Sequence, residues 1–417
     1  MQISRRFMTL AGAAALLSGC GLSAGTRFGA PSGSSAPDPG LQPQPNAAYD
    51  AWVAAFRSRA SAQGISSPIL SDAFRKAGYL PGVVERDRNQ TEFSRSLEDY
   101  LAIVASPDKV ATGRSALSQQ SGVLGEIEAR YGVPARVTAS VWGMESNYGT
   151  RRGDIPVISA TSTLAYDGRR GEFFEKQLIA ALKILQNGDV TSSGLVGSWA
   201  GAMGHTQFIP TTYQAYAVDF RGDGRRDIWS DDPTDGLAST AAYLSASGWR
   251  RGVPWGQEVR LPAGFEGSLA GRARKRSVGE WTALGVRSVA GGSLPDHGPA
   301  ALLLPSGVVG PAFLVYRNFD VILRYNNSEN YGIGVGYLSD RIAGAAPLVG
   351  RFPPDRFGLT MDDRQRLQQR LTSRGFDTGG SDGVIGPKSE DAIRAYQTRF
   401  GLAVTGQPSR ELLMQLG

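Results

Sequence analysis

Apolar residues recur at helical spacing over most of the chain, and glycine or proline ends nearly every such run. One run that closes at a glycine contains Phe173, Phe174, Leu178, Leu182 and Leu185. Because one face of a helix recurs every three to four residues, this period predicts short amphipathic helices joined by turns. Residues 48–347 are therefore expected to form one mainly α unit.

One part of that unit has a different pattern. Between residues 253 and 316, short apolar runs stand between glycine and proline turns, namely Val259-Arg-Leu261, Ala301-Leu-Leu-Leu304 and Phe313-Leu-Val-Tyr316. Such runs are typical of strands. The sequence thus predicts a mainly α (α+β) fold class with a small β insertion.

The last 60 or so residues read as a separate module. A proline-containing linker is predicted at 348–357, and the module at 358–417. Thr360 and Asp363 have the spacing of a capping box, and Pro387 suits the first position of a second helix. With a third helix from about Pro408, this module should bury only a modest core.

The N-terminus has the pattern of a targeting segment. Arg5 and Arg6 precede an apolar run too short to span a membrane, and Leu17-Ser-Gly-Cys20 resembles the bacterial lipobox. That resemblance implies a lipoprotein signal at 1–19, a lipid on Cys20 and a flexible tether at 20–47. Gly21 in place of Asp favours the periplasmic face of the outer membrane. The alternative is a plain secretion signal with an incidental cysteine.

Composition excludes several kinds of site and partner. With 417 residues the chain exceeds one usual core, and one cysteine allows no intrachain disulfide. Two histidines make a dedicated zinc site improbable. The formal charge of +6 is spread out, and the one dense basic run, residues 272–276, is short and lacks aromatics. We therefore expect no nucleic-acid partner, whereas an anionic polymer is compatible.

Glu145 is the candidate acid. It belongs to the apolar run Val141-Trp-Gly-Met-Glu-Ser-Asn-Tyr-Gly149, which reads as the end of a helix with Gly149 as its cap. A carboxylate beside aromatic surface and near a helix C-terminus is harder to ionise, which suits a proton donor. The alternative is a solvated surface carboxylate. A second stretch, residues 197–210, mixes small, aromatic and isolated polar residues as pocket walls do.

Four stretches together resemble the lytic murein transglycosylase B family of membrane-bound lipoproteins. They are Trp142-Gly-Met-Glu-Ser-Asn-Tyr-Gly149, Ala200-Gly-Ala-Met-Gly-His-Thr-Gln-Phe-Ile-Pro210, Asp219-Phe-Arg-Gly-Asp-Gly-Arg-Arg-Asp-Ile-Trp229 and Arg324-Tyr-Asn-Asn-Ser-Glu-Asn-Tyr331. The C-terminal module is similar to three-helix peptidoglycan-binding domains. The resemblance implies a lysozyme-like catalytic domain.

The family's chemistry assigns one carboxylate two roles. The resemblance implies that Glu145 protonates the leaving oxygen of the β-1,4 bond between N-acetylmuramic acid and N-acetylglucosamine, without water. As a carboxylate it would then take the proton of the C6 hydroxyl, closing a 1,6-anhydro ring. By motif position, the substrate-binding residues implied are Ser198, Gln207, Tyr325, Asn326 and Tyr331. Alternatively, the side chains of Ser198 and Gln207 only form hydrogen bonds with backbone groups of their loop.

The stretch from Asp219 resembles an EF-hand loop, with Asp219, Asp223 and Asp227 at positions one, five and nine. Arg221 places a cation at position three, and position twelve is Ser230 rather than a bidentate glutamate. We therefore favour a loop tied by Asp–Arg pairs and backbone hydrogen bonds over a calcium site. No cofactor is required by the implied reaction.

Two other functions stay open from the sequence. A hydrolytic muramidase would need a second catalytic carboxylate, and the matched motifs supply none. A non-catalytic wall-binding scaffold lipoprotein would need none at all. The partners implied by the leading interpretation are peptidoglycan glycan strands and, through Cys20, a membrane. Cell-wall synthesis proteins are further candidates.

Overall fold

The computed structural model describes residues 38–89 and 95–417. The predicted signal at 1–19, the lipidation site Cys20 and most of the predicted tether lie outside the described residues. Within them, no helix has both the length and the apolar character needed to cross a membrane.

The larger domain is built mainly from short helices. In chain order they are α1 (Ala47–Ala62), α2 (Ser67–Ala73), α3 (Pro81–Arg88), α4 (Leu97–Val104), α5 (Pro107–Gln119), α6 (Ser121–Tyr131), α7 (Ala135–Ser146), α8 (Val157–Asp167), α9 (Gly171–Asn187), α10 (Pro210–Tyr216), α11 (Thr234–Ala246), α12 (Val278–Ala283), α13 (Arg317–Tyr325) and α14 (Glu329–Ile342).

The predicted β insertion is a four-stranded antiparallel sheet. Two short strands, β1 (Ile155–Pro156) and β2 (Val196–Gly197), pair separately. The sheet itself consists of β3 (Gly256–Arg260), β4 (Arg287–Ser288), β5 (Ala301–Leu303) and β6 (Ala312–Val315), in the order β4-β3-β6-β5. Trp281 of α12 is fully buried against one side of it, where its indole donates to the Ala300 carbonyl.

Helix α7 lies at the centre of the main core, packed by α5, α6, α11 and α14. Helices α4 and α7 both pack closely on α14 at Gly334, where an added Cβ would lie 2.8 Å from the Tyr100 ring of α4 and 3.4 Å from Met144 of α7. The Ser140 hydroxyl donates to the Val335 carbonyl at 2.7 Å, which satisfies a buried polar group at this contact. The core thereby fixes the helix that carries Glu145.

The end of the predicted tether is not free. The backbone N–H of Gln44 donates to the Tyr79 carbonyl at 2.8 Å, and the Asp38 carboxylate pairs with Arg86 at 2.7 Å. Composition predicted a flexible tether, whereas in the structure backbone pairing and an ion pair join residues 38–47 to the domain.

The predicted linker at 348–357 is also bound to the domain. The carboxylate of Glu258 on β3 accepts the backbone N–H groups of Val349 at 2.9 Å and Gly350 at 2.6 Å. Phe352 packs against the main core. The proline content of this segment suggested a free spacer. In the fold, however, Glu258 lies next to the segment and binds its backbone.

The C-terminal module contains α15 (Met361–Ser373), α16 (Pro387–Arg399) and α17 (Arg410–Gln415). The capping box of Thr360 and Asp363 is present at the start of α15, as predicted. The three helices share a small core, and its fully or nearly fully buried members include Leu367, Leu371, Ile393, Leu412 and Leu416. The mainly α prediction with a three-helix module is confirmed.

Candidate active site

The helix that carries Glu145 ends differently from the expectation. It stops at Ser146, and Asn147 is its left-handed cap with φ 51°, followed by Tyr148 with φ 57°. The prediction that Gly149 caps the helix is wrong. Asparagine tolerates the left-handed region better than most residues do, so the turn begins two residues earlier.

Glu145 lies in the last turn of α7 and is half-buried as a residue. Its Oε1 accepts a 2.6 Å hydrogen bond from the Tyr331 hydroxyl on α14. The other oxygen accepts no hydrogen bond from the described residues. The carboxyl group is thus oriented by one donor, the Tyr331 hydroxyl.

Burial raises the pKa of Glu145 to about 7, because desolvation penalises its charged form. The hydrogen bond from Tyr331 and the positive charge of Lys109 act in the opposite direction and lower the pKa. Desolvation is the largest of the three effects. A carboxyl group with a pKa near neutral can donate a proton and later accept one.

Tyrosines surround the acid. Tyr325 and Tyr331 are stacked, with ring centroids 6.5 Å apart and an angle of 14° between the planes. The Tyr325 hydroxyl donates to the Thr206 carbonyl at 2.5 Å, which links α13 to the stretch at 197–210. Tyr100 of α4 is a third member, and burial followed by the charge of Glu145 raises its pKa. These rings form an aromatic wall beside the acid, whose hydroxyl groups are its polar atoms.

Gln207 has a structural role in the loop. It adopts φ 53°, and its side-chain amide donates to the carbonyls of Arg152 at 3.0 Å and Gly204 at 2.9 Å. A glutamine in the left-handed region needs such support. Because Thr206 precedes it and contacts Tyr325, the structure brings Gln207 close to the tyrosine wall.

Ser198 and Asn326 are less directly connected to the acid. The Ser198 hydroxyl accepts the Ala202 N–H at 3.1 Å, which closes a turn. Asn326 caps the C-terminus of α13 and is partly exposed. No hydrogen bond between either residue and Glu145 is present in the described residues, so their substrate roles stay predictions.

Sequence reasoning missed Tyr100 and Lys109 as neighbours of Glu145. Lys109 lies in the first turn of α5, and its carbonyl accepts the Tyr148 hydroxyl at 3.2 Å. Burial lowers the pKa of Lys109 to about 8, with Arg151 adding to that effect and Glu145 opposing it. Nothing in the local sequence marks these residues, because α4 and α5 approach α7 only through the packed core.

The EF-hand-like loop is closed by its own backbone. The Asp219 carboxylate accepts the N–H groups of Gly222 at 2.6 Å and Gly224 at 2.8 Å, and these bonds lower its pKa. The Asp227 carboxylate accepts the N–H groups of Trp229 and Ser230. These backbone hydrogen bonds close the loop.

The cation at position three also has a partner, since Arg221 pairs with Glu126 at 2.5 Å. Asp223, at position five, accepts the N–H of Arg225. In the part of the chain that the structure describes, no group of three or more His, Cys, Asp or Glu side chains is arranged to hold a metal ion. The residues present in this loop therefore do not fit calcium.

A hydrolytic muramidase would need a second carboxylate beside Glu145. The charged or hydrogen-bonded groups that set the pKa of Glu145 are Tyr331 and Lys109, and no carboxylate of the described residues is among them. The raised pKa of Glu145 therefore does not depend on a neighbouring carboxylate.

Comparison with known proteins gives matches over nearly the whole chain. The transglycosylase SLT domain family matches residues 48–340, and the peptidoglycan binding domain family matches residues 360–416. SltB3 from Pseudomonas aeruginosa, solved in complex with NAG-anhNAM-pentapeptide, is 50% identical with a TM-score of 0.73. That match covers 89% of this chain and 100% of SltB3.

Two further relatives have lower identity. The soluble lytic transglycosylase SltB1 from Pseudomonas aeruginosa is 32% identical with a TM-score of 0.63, covering 70% of this chain and 98% of SltB1. Membrane-bound lytic murein transglycosylase B from Escherichia coli (strain K12) is 33% identical over 251 residues. That match covers 58% of this chain, and the chain spans 66% of the length of this relative.

The similar structures agree with the lysozyme-like fold that the motifs implied. The SLT domain match alone extends over more than half of the 417 residues. The chain therefore belongs to the transglycosylase SLT domain family, related to lytic murein transglycosylase B, and carries a C-terminal peptidoglycan binding domain.

Proposed function

We propose that this protein is a peptidoglycan lytic transglycosylase. It cleaves the β-1,4 bond between N-acetylmuramic acid and N-acetylglucosamine without water and leaves 1,6-anhydromuramic acid ends. The observation that carries this proposal is the state of Glu145, whose pKa is raised to about 7 by burial while Tyr331 holds one of its oxygens. Membership of the transglycosylase family supports the same reaction.

In the first step Glu145 acts as an acid. Its proton passes to the glycosidic oxygen as the bond from that oxygen to C1 of the muramoyl residue breaks. The electron pair of the broken bond stays with the leaving N-acetylglucosamine. The substrate's own N-acetyl group stabilises the cationic C1, so no second protein carboxylate is needed.

In the second step Glu145 acts as a base. The carboxylate takes the proton of the muramoyl C6 hydroxyl, whose oxygen forms the new bond to C1. Protons balance over the two steps, and the enzyme returns to its starting state. One group can serve both steps only if its pKa lies near the working pH, which burial of Glu145 provides.

The neighbouring residues orient the substrate in this proposal. Tyr325 and Tyr331 stack on or orient the sugars, and Gln207 forms part of the cleft wall. Ser198 and Asn326 contact the region of Glu145 and the N-acetyl group. Tyr331 also stabilises the carboxylate formed after the first proton transfer, since its hydroxyl donates to Oε1.

The C-terminal module binds peptidoglycan and raises the effective concentration of the catalytic domain at an insoluble substrate. Its family match supports this role. We further propose that Cys20 carries a lipid and holds the protein at the periplasmic face of the outer membrane. The membrane-bound relative from Escherichia coli supports that placement.

The proposal is tested by incubating purified sacculi with residues 38–417 and analysing the soluble products by mass spectrometry. We expect muropeptides with 1,6-anhydromuramic acid ends, one water lighter than reducing ends. The matched control is Glu145→Gln, which keeps an acceptor for Tyr331 but cannot transfer a proton. It should bind sacculi as the wild type does and release no products.

Other outcomes separate the alternatives. Reducing-end products would identify a hydrolytic muramidase and require a second carboxylate. Binding to sacculi without any products from the wild type would favour a scaffold lipoprotein. Full activity of Glu145→Gln would show that a different group is the acid.

A further inference from the structure

His205 occupies a slot made by two glycines. It lies in the loop between β2 and α10 and is 2% exposed. A Cβ added to Gly149, just after α7, would lie 2.7 Å from its ring, and one on Gly236 of α11 would lie 3.0 Å from its side chain. Those two backbones therefore pack directly against the His205 side chain.

Both ring nitrogens have defined partners. The indole N–H of Trp142 donates to Nδ1 at 3.1 Å, and Nε2 lies 2.8 Å from the Ser230 carbonyl oxygen. An indole N–H is only a donor and a carbonyl oxygen is only an acceptor. The two bonds are satisfied together only when Nδ1 is bare and Nε2 is protonated, so the network assigns one neutral tautomer.

The backbone of His205 holds the same region. Its carbonyl accepts the Ser146 hydroxyl at 2.5 Å, and that hydroxyl accepts the Gly149 N–H at 2.9 Å. Its own N–H donates to the Ile228 carbonyl at 3.0 Å. His205 thus joins the end of the catalytic helix to the segment at 228–230.

The segment that follows α7 needs the contacts made by His205. Asn147 and Tyr148 both lie in the left-handed region, at φ 51° and 57°, directly after Glu145 and Ser146. Two consecutive non-glycine residues in that region persist only where surrounding contacts enforce them. The contacts of His205 with Trp142 and Ser146 lie on either side of Glu145 in the sequence.

We propose that His205 is a positioning residue, whose neutral, Nε2-protonated ring and carbonyl fix the end of α7 so that Glu145 points correctly at the substrate. In the described part of the chain no hydrogen bond joins it to Glu145, so we assign it a positioning role rather than a catalytic one. The inference rests on the proposed role of Glu145. Its side chain lies in the slot formed by Gly149 and Gly236.

The charges around the ring favour the neutral form. Burial lowers the pKa of His205, the Ser230 carbonyl raises it and Arg152 lowers it. Asp227 and Asp231 raise it by smaller amounts, and the overall direction is downward from 6.5. Arg152 lies 3.3 Å from Nε2 and donates instead to the Ser230 carbonyl at 2.7 Å. Protonation would place a second N–H opposite that of Trp142.

The tautomer can be measured without any assay of activity. The chain has two histidines, so His297→Gln leaves His205 as the only imidazole for nitrogen NMR. At neutral pH we expect a bare Nδ1 and a protonated Nε2. A charged ring, or a proton on Nδ1, would overturn the assignment, whether or not the protein cleaves peptidoglycan.

The positioning role is tested with two variants. His205→Gln keeps one acceptor and one donor but cannot be protonated, whereas His205→Ala keeps neither. We expect His205→Ala to lower kcat about tenfold or more with little change in KM, because small misplacements at an active site are costly. His205→Gln should restore kcat at neutral pH and should lack the loss of activity that wild type shows when His205 is protonated in acid.

These outcomes separate the inference from the proposed function. An inactive wild type would contradict the proposed function, while the NMR result would still decide the state of the ring. If wild type is active, normal kcat in His205→Ala would overturn the positioning role. The same acid loss of activity in His205→Gln as in wild type would overturn the requirement for a neutral ring.

Discussion

The hydroxyl of Tyr331 donates a 2.6 Å hydrogen bond to Oε1 of Glu145, although 186 residues separate the two in the sequence. The bond stabilises the carboxylate form and so opposes the effect of burial, which raises the pKa of Glu145 to about 7. In the proposed mechanism, proton donation and proton return both depend on this balance.

Removal of that hydroxyl should therefore change the pH dependence. In Tyr331→Phe the pKa of Glu145 rises further, so the alkaline limb of the pH–rate profile moves to higher pH. We expect kcat to fall about tenfold or more, since a hydrogen bond to a charged group contributes about 1.5–3 kcal/mol. Tyr337→Phe on the same helix is the control. An unchanged limb in Tyr331→Phe would contradict the role of this bond.

Lys109 should lower the pKa of Glu145 as Tyr331 does, but through its positive charge. Its positive charge lowers the pKa of Glu145. In Lys109→Met that effect is lost, the acid stays protonated to higher pH, and the alkaline limb again moves upward. Lys183→Met, an exposed position on α9, removes the same charge and should leave the profile unchanged. Equal profiles for both variants would exclude a specific effect of Lys109.

Glu145 should also make stability depend on pH. Its folded pKa is raised from 4.5 to about 7, so the folded state binds more protons than the unfolded state between those values. The stability contributed by the protonated form is complete below about 4.5 and is lost as pH rises through about 7.

Glu145→Gln cannot titrate and should escape that loss. Relative to wild type, its free energy of unfolding should increase by at most about 3 kcal/mol between pH 4 and pH 8, from about 1.4 kcal/mol per pKa unit. Urea unfolding of both proteins at the two pH values measures the difference. A constant difference would contradict a raised pKa for Glu145.

The two domains should be coupled through Arg364. This side chain of α15 is 3% exposed and pairs with Glu98 at 2.7 Å and Asp99 at 2.9 Å on α4, and with Asp355 of the linker at 3.1 Å. Arg364→Ala leaves three carboxylates facing one another, and removing one partner of a buried pair costs about 3–5 kcal/mol.

Calorimetry should accordingly show a lower or split transition for Arg364→Ala. Arg366→Ala, which removes an exposed pair with Asp363, should change stability by less than about 0.5 kcal/mol. If Arg364→Ala melted as wild type does, the contact between module and α4 would be energetically unimportant.

Local patterns were sufficient for much of the architecture. The capping box of Thr360 and Asp363, the start of α16 at Pro387 and the strand runs of the β insertion each depend on residues close in sequence. The choice of Glu145 as acid also came from its own helix, because aromatic neighbours three and four residues away already limit its solvation.

Long-range packing decided what local patterns left open. The cap at Asn147 rather than Gly149 depends on Ser146 and His205, which come from different segments. The segments at 38–47 and 348–357 were expected to be loose, yet Arg86 and Glu258 bind them to the domain.

The sequence by itself determined the order of the domains, the helical periods and the choice of Glu145 as the candidate acid, since these follow from residues within a few turns of one another. Only the tertiary structure decided which groups adjust that acid. Tyr331, Lys109 and His205 reach the end of α7 from separate elements, and their effects depend on distances and burial that exist only after the core has packed.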